Sequence, residues 1–412
     1  MSEVDVSEQI ILSRARVATS AVFFTNGAVL AIWATNIPAM KHALGLSDSE
    51  LGIALSAFAA GTMLMMCLAG ALVTRIGSRK ALLIGAGLVS AVLPLSALAS
   101  SVWSLAAAVF LLGVANSVLD VAMNTHGSLI EARKKRSLMS SFHAVFSIGG
   151  LAGACTVATV LSSMLGLAQC LLISAGVAAA VALLAAFWLG DLRPCVSNAG
   201  ECKPVAKVKS FAWPNRALMC IASLTFLALF IERTVIDWSA LYLTDVSHTS
   251  ANIAAFAFGA FSFAMAMGRL GGDVLIRKLG ANRVLAGSGA IGAAGIALAV
   301  VFPVPATSIA GFILVGIGLS NMTPLLYSQA SKAYPGAPGL GLAMNGTLGY
   351  TGFLLAPPVI GFLSESYGLK LSMIIPFIAF ILLMGSHFHK VRTQRCNASQ
   401  AALQVRAEAF VD

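Results

Sequence analysis

The sequence predicts an all-α membrane protein with twelve transmembrane helices in two pseudo-symmetric six-helix bundles. Three observations predict it: an apolar composition, the number and length of the apolar runs, and a repeat that carries the first half onto the second. Hydrophobic residues make up 58% of the 412 and charged residues 10%, with a mean hydropathy of +0.89. A soluble chain of this length covers its surface with far more charge. A helix that crosses a hydrocarbon layer of roughly 30 Å instead needs about 20 apolar residues. Twelve such spans with short connections consume most of this chain and leave no room for a sizeable soluble domain.

Apolar runs of spanning length lie near 17–38, 50–73, 81–99, 103–128, 139–163 and 167–190, then near 217–243, 252–276, 284–302, 305–329, 339–362 and 368–388. The chain therefore reads as a tail (1–16), a first bundle (17–190), a polar linker (191–215), a second bundle (216–388) and a second tail (389–412). The acidic, polar start MSEVDVSEQI does not look like a signal peptide, so the first span itself is expected to direct insertion. The seven cysteines lie mostly in apolar stretches without metal-ligand spacing, and read as small buried hydrophobes.

The net charge of +10 raises the possibility of a nucleic-acid partner, but its distribution argues against one. With the N-terminus placed in the cytoplasm, all but four of the 26 lysines and arginines fall on the cytoplasmic side. Lys41 and Lys370 fall outside, and Arg233 and Arg269 lie within spans. This is the positive-inside pattern, and losing one span would destroy it. Both tails are therefore expected in the cytoplasm, and the membrane is expected to be a bacterial inner membrane.

The halves repeat at an offset of 203 residues. The loop Arg75-Ile76-Gly77-Ser78-Arg79-Lys80 returns as Lys278-Leu279-Gly280-Ala281-Asn282-Arg283, Gly113 returns as Gly316, and Gly149 returns as Gly352. Parallel halves related by an axis along the membrane normal are a known transporter architecture.

Gly70-Ala71-Leu72-Val73-Thr74-Arg75-Ile76-Gly77-Ser78-Arg79-Lys80 resembles the loop signature of the major facilitator superfamily, Gly-x3-Asp-Arg-x-Gly-x-Arg-Arg/Lys. It falls between spans two and three, where that family carries it, with a decayed copy between spans eight and nine. Thr74 stands where the family has aspartate, which removes any latch built on that carboxylate. Asp120 with Asn124, Ser141 to Gly150, Asp237 to Tyr242, Gly349 to Gly352 and Pro357 to Gly361 are further similar to the MosC/YbjJ branch near the fucose permeases. The resemblance implies the major facilitator fold and a small sugar- or polyol-like solute, including rhizopine- or inositol-related ones. It also implies that Gly70, Arg75, Gly77, Arg79 and Lys80, with Lys278, Gly280 and Arg283, hold helix ends in register during conformational change. Substrate does not follow from fold.

Ionisable groups at membrane depth carry the chemistry, because insertion of one near mid-bilayer costs about 2.5–3.5 kcal/mol and they survive where they face a wet cavity or a partner. Asp120 sits mid-span with Asn116 and Asn124 one turn to either side, so all three share one helix face. It is expected to exchange a proton during transport, or else to be fixed by interhelical hydrogen bonds. Span seven holds Glu232, Arg233 and Asp237. Arg233 and Asp237 stand at pairing distance along a helix, which leaves Glu232 as the less compensated acid and a second proton site. The alternative is a charge network that gates the halves. Trp238 and Tyr242 are expected at the outer mouth as interfacial anchors.

Asn26, Asn321, Asn345 and Tyr350 are uncharged polar groups at cavity depth, suited to hydroxyl-rich solutes or to helix–helix hydrogen bonding. His143 reads as a packed histidine or a proton relay, and His126 and Glu131 as cytoplasmic-interface residues. The glycines of spans five and eleven are expected to permit rocking between the halves. Span five lacks the proline that accompanies glycine there in drug antiporters of the family.

The chain has no phosphate-binding Gly-Lys-Ser/Thr loop and no nucleophile or metal-ligand constellation. It is thus read as a non-enzymatic, monomeric secondary carrier with no cofactor, whose partners are a small solute, protons and the lipid bilayer. Export of metabolites or drugs, and ligand sensing without transport, are the rival readings.

Overall fold

The computed structural model describes residues 3–134, 138–160, 166–190, 192, 215–333 and 338–385. Every regular element among them is helical. They are α1 (Glu3–Thr35), α2 (Ile37–Leu44), α3 (Asp48–Ile76), α4 (Ser78–Val92), α5 (Val102–Lys134), α6 (Met139–Val160) and α7 (Leu167–Ala186) in the first half. In the second half they are α8 (Arg216–Asp245), α9 (Ala251–Leu279), α10 (Ala281–Val301), α11 (Pro305–Leu319), α12 (Met322–Ala333), α13 (Pro338–Tyr367) and α14 (Leu369–Ser372). Eleven helical segments among the described residues are long and apolar enough to cross a membrane, and the shorter apolar helix Leu369–Gly385 stands where the twelfth span is expected. Residues 386–388 of that span, most of the 191–215 linker and the tail from 389 lie outside the described residues.

Prolines account for the breaks inside single spans. Proline removes an amide donor and clashes with the carbonyl four residues earlier. Pro38 accordingly separates α1 from α2, and Pro324 separates α11 from α12 across one apolar stretch, Pro305–Ala330. Helix starts are capped locally. The Ser47 hydroxyl accepts from the Glu50 amide, and the Glu50 carboxylate accepts from the Ser47 amide at 3.0 Å. At the head of α8 the Asn215 side chain accepts from the Leu218 amide and donates to the Ala333 carbonyl, tying α8 to the end of α12.

The internal repeat is visible in the helix boundaries. α3 and α9, α4 and α10, and α5 and α11 all begin 203 residues apart. Gly77 and Gly280 occupy the same turn with φ of 87° and 81°, a region that side chains with a Cβ avoid. Gly113 packs on the Phe58 carbonyl and Gly316 on the Phe261 carbonyl, again one offset apart.

Within each half α1 packs on α6, α3 on α5, α8 on α13, and α9 on α11. The halves meet where α6 lies on α9 and α3 on α13. The glycines of α6 divide between these two kinds of contact. Gly149 and Gly153 face the backbone of α1 at Phe24 and Ala28, and Gly352 of α13 faces Phe226 of α8. They therefore tighten single halves, which corrects the expectation that they serve rocking. Gly150, opposite Ser262, and Gly361, opposite the Asp48 carbonyl, do lie between the halves.

Candidate functional site

A cavity of about 410 Å³ lies between the halves, walled by α1, α3, α5 and α6 on one side and by α8, α9, α12 and α13 on the other. One end is sealed. The Lys41 ammonium sits 2.5 Å from Asp48 and 3.3 Å from Asp245 of the other half. The Ser364 hydroxyl donates to Asp48, and the Ser49 amide donates to Glu365 at 3.0 Å. Between described residues, the ion pairs and side-chain hydrogen bonds that join the halves all lie at this end. The basic loops after α3 and α9 lie at the opposite end.

Asp120, Asn116 and Asn124 all line the cavity, as their shared helix face requires. The Asn124 amide donates to Asp120 Oδ1 at 3.1 Å and to the Asp120 carbonyl at 2.9 Å. Glu232 and Arg233 line the opposite wall. The Arg233 Nε donates to Asp237 at 2.6 Å, and its guanidinium lies over two rings, Phe58 of the first half at 5.0 Å and Phe353 of the second at 4.9 Å. Asp237 is fully buried behind it and does not line the cavity.

Glu232 is more loosely paired than Asp237, as expected, but it is not without a cation: Arg269 of α9 approaches it at 3.5 Å, against 2.6 Å between Arg233 and Asp237. Among the described residues Asp120 is the cavity acid without an ion-pair partner. The repeat explains how Arg269 arrives there. Cavity-facing positions recur at the 203-residue offset: Phe58 and Phe261, Thr62 and Met265, Met66 and Arg269, Asp120 and Thr323, Asn124 and Tyr327. Applied to Asn124 or Met66, the same offset read in the sequence points to Tyr327 and Arg269 as wall residues.

Asn26 and Tyr350 line the cavity as expected, but two other polar candidates do not. Asn321 donates to the Gly268 carbonyl at 3.1 Å and joins the α11–α12 break to α9. Asn345 is fully buried and accepts from the Thr225 hydroxyl at 2.9 Å, joining α13 to α8. Trp238 and Tyr242 are also fully buried and so are not interfacial anchors. The Tyr242 hydroxyl donates to the Ala299 carbonyl at 2.9 Å and its ring meets Phe312 edge-on.

His126 is buried at the end of α5, with Ser78 Oγ at 2.9 Å and the Leu189 carbonyl at 2.8 Å from its two ring nitrogens. It fastens the starts and ends of neighbouring helices and is not a surface residue. Glu131 accepts from the amides of Leu138 and Met139 and so caps α6. His143 lies on the cavity wall with its ring edge-on to Phe23. In the loop motif, the Arg79 guanidinium donates to the Ala186 carbonyl at 2.7 Å and ties α4 to the end of α7. A Cβ at Gly70 would meet nothing within 4 Å, and Arg75, Lys80, Lys278 and Arg283 are exposed at the end opposite the seal.

The sequence model of the Major Facilitator Superfamily matches residues 19–357 and 222–395. An uncharacterised MFS-type transporter of Yersinia pestis is 34% identical over 368 residues, covering 89% of this chain and 93% of that protein. Membrane protein MosC of Rhizobium meliloti is 31% identical over 373 residues, 88% of this chain and 86% of that one. In fold, the chain is similar to a bacterial homologue of the human lysosomal transporter Spinster in an inward-facing, unoccupied conformation. That match has a TM-score of 0.75 and 14% identity, and covers 93% of this chain and 97% of that one.

Proposed function

The chain belongs to the Major Facilitator Superfamily of membrane transporters, and from that premise we propose that it is a proton-coupled secondary carrier for a small polar, sugar- or polyol-like solute. The observation that carries the reading is the cavity between two halves, joined by ion pairs at one end and free of such ties between described residues at the other. A binding space with one sealed and one unsealed end is one state of an alternating-access cycle. The positive-inside rule assigns the unsealed, basic end to the cytoplasm, so this state faces inward. An inner bacterial membrane, cytoplasmic tails and a monomeric carrier complete the proposal.

Asp120 is the first candidate for the coupling proton, since it stands in the cavity wall with only an amide donor on one oxygen. Glu232 is the second, with its charge shared with Arg269. When such a carboxylate is protonated, the cavity loses a charge that otherwise resists closure around it. A membrane potential of 100 mV supplies about 2.3 kcal/mol per charge, which corresponds to roughly fifty-fold accumulation. The wall's amides, hydroxyls and aromatic rings suit a hydroxylated solute, because amides and hydroxyls both donate and accept.

Proteoliposomes loaded with a pH gradient and offered myo-inositol and monosaccharides test this. Asp120→Asn and Glu232→Gln are expected to lose proton-driven accumulation while exchange of labelled for unlabelled solute continues. Full accumulation by both variants would show that neither acid couples the proton.

A further inference from the structure

The Arg233 guanidinium is held by its own half from two sides, with Asp237 at 2.6 Å and the ring of Phe353 at 4.9 Å. Across the gap, Phe58 of α3 places its ring 5.0 Å from the same guanidinium. A ring face carries negative charge density, so the contact is a cation–π bond that joins the two halves. Phe58 is fixed just as firmly in the first half. Gly113, which has no Cβ, admits the Phe58 backbone against α5, the Thr62 hydroxyl reaches the Phe58 and Gly113 carbonyls at 2.9 Å and 3.2 Å, and Trp33 stacks on the ring at 6.1 Å. At ~1.5 Å per residue, Phe58 stands roughly 15 Å along α3 from Asp48, and Arg233 roughly 18 Å along α8 from Asp245. The contact therefore lies beneath the ionic seal, at the cavity wall.

The internal repeat shows that this bond belongs to one seam only. The 203-residue offset carries Phe58 onto Phe261, which also lines the cavity, so both halves present an aromatic wall at the same depth. It carries Arg233, Asp237 and Phe353 back onto Leu30, Ala34 and Gly150. The seam between α1 and α9 is thus built at this depth without a cation, its counterion or its second ring. A charge at membrane depth is costly and is kept where it has a task. Since the matching seam is built without one, folding alone does not account for Arg233.

Exposure decides which tie between the halves is the stronger. At the seal, the Asp245 side chain is 32% exposed and that of His42 67%, and ion pairs open to solvent are screened and contribute little. Arg233 and Phe58 are 3% and 6% exposed, and a cation over a ring is worth at least about twice as much when desolvated. Asp237 compensates the buried charge, so holding it under the ring leaves no unpaired ion. Resting on the carrier reading above, we propose that Phe58 is the fixed partner of an inner latch: its contact with Arg233, more than the ionic seal, keeps the cavity shut on the sealed side. Parting of the halves there breaks this one bond, while Asp237 and Phe353 travel with Arg233. The latch biases the resting carrier toward the inward-facing state.

The test places spin labels at Ala43→Cys and Ser366→Cys, exposed positions on either side of the seal, in an otherwise cysteine-free full chain in lipid nanodiscs. Electron–electron distance measurement then reads the ratio of open to closed sealed ends, with no solute present. Phe58→Leu is expected to raise that ratio at least about tenfold, equivalent to 1.4 kcal/mol, and Asp245→Asn about threefold or less. Replacement of Phe58 by mono-, di- and trifluorophenylalanine keeps the size of the ring while draining charge from its face. That series is expected to raise the ratio stepwise in a chain that folds normally. Equal ratios across the fluorine series, or a larger opening in Asp245→Asn than in Phe58→Leu, overturn the latch and leave the carrier reading standing. A sealed end that opens in none of these variants, in a chain that also exchanges no solute in proteoliposomes, overturns both.

Discussion

Removal of the Arg233 guanidinium tests how charge is held at membrane depth. In Arg233→Leu the Asp237 carboxylate, fully buried with one oxygen already unpartnered, loses its cation. Breaking a buried pair from one side costs about 3–5 kcal/mol, because an uncompensated charge remains. Asp237→Asn leaves the opposite orphan, but that orphan keeps two aromatic faces, at 5.0 Å and 4.9 Å. Each face is worth about 0.5–2 kcal/mol to a cation, so the aspartate variant should lose only about 1–3 kcal/mol. Removing both charges in Arg233→Leu/Asp237→Leu should recover most of the stability lost in Arg233→Leu, as apolar replacements of buried pairs commonly do. Chemical unfolding of purified protein in detergent, followed by near-ultraviolet circular dichroism, measures all three. The reasoning fails if Arg233→Leu is no less stable than Asp237→Asn, or if the double variant is as unstable as Arg233→Leu.

Asn345→Ala breaks a buried hydrogen bond to Thr225 and should cost about 1–3 kcal/mol of stability while leaving solute affinity unchanged in calorimetry, since Asn345 is off the cavity wall. Gly113→Val and Gly316→Val each drive a side chain into a backbone carbonyl of the neighbouring helix. Both should therefore lower the yield of folded protein on size-exclusion chromatography to a similar degree, because the two positions are repeats of one contact. Asn26→Ala and Arg79→Ala should separate binding from movement. The first weakens solute affinity, whereas the second keeps affinity and slows transport, because Arg79 is off the cavity wall and ties α4 to the end of α7 through the Ala186 carbonyl.

The helices were legible because each span demands a long apolar run, and the repeat because its offset survives in turns such as Gly77 and Gly280. Asp120 was legible for the same reason: its flanking asparagines at helical spacing leave one face polar. What escaped was the direction in which a lone polar residue faces. Asn26 and Asn345 are both lone amides in apolar helices, yet one opens to the cavity and the other meets Thr225. Depth follows from position in a span, but facing depends on which helix packs alongside, and that is a property of the whole bundle. The cation beside Glu232 escaped on the same ground. Arg269 sits on another helix, 37 residues on, and only the repeat of Met66 marked that position as wall. His126 and Tyr242 escaped because polar tips in apolar helices end on neighbouring backbone carbonyls as readily as at a membrane surface.

The central claim is that the seal formed by Lys41, Asp48, Asp245 and Ser364 must open and re-form in each transport cycle. A cysteine pair in place of Asp48 and Ser364, which touch across the two halves, allows that seal to be locked by a disulfide or a short bifunctional reagent. The account predicts that the locked protein still binds solute from the unsealed side but exchanges none across the membrane, and that release of the lock restores exchange. Full exchange by the locked protein would contradict it.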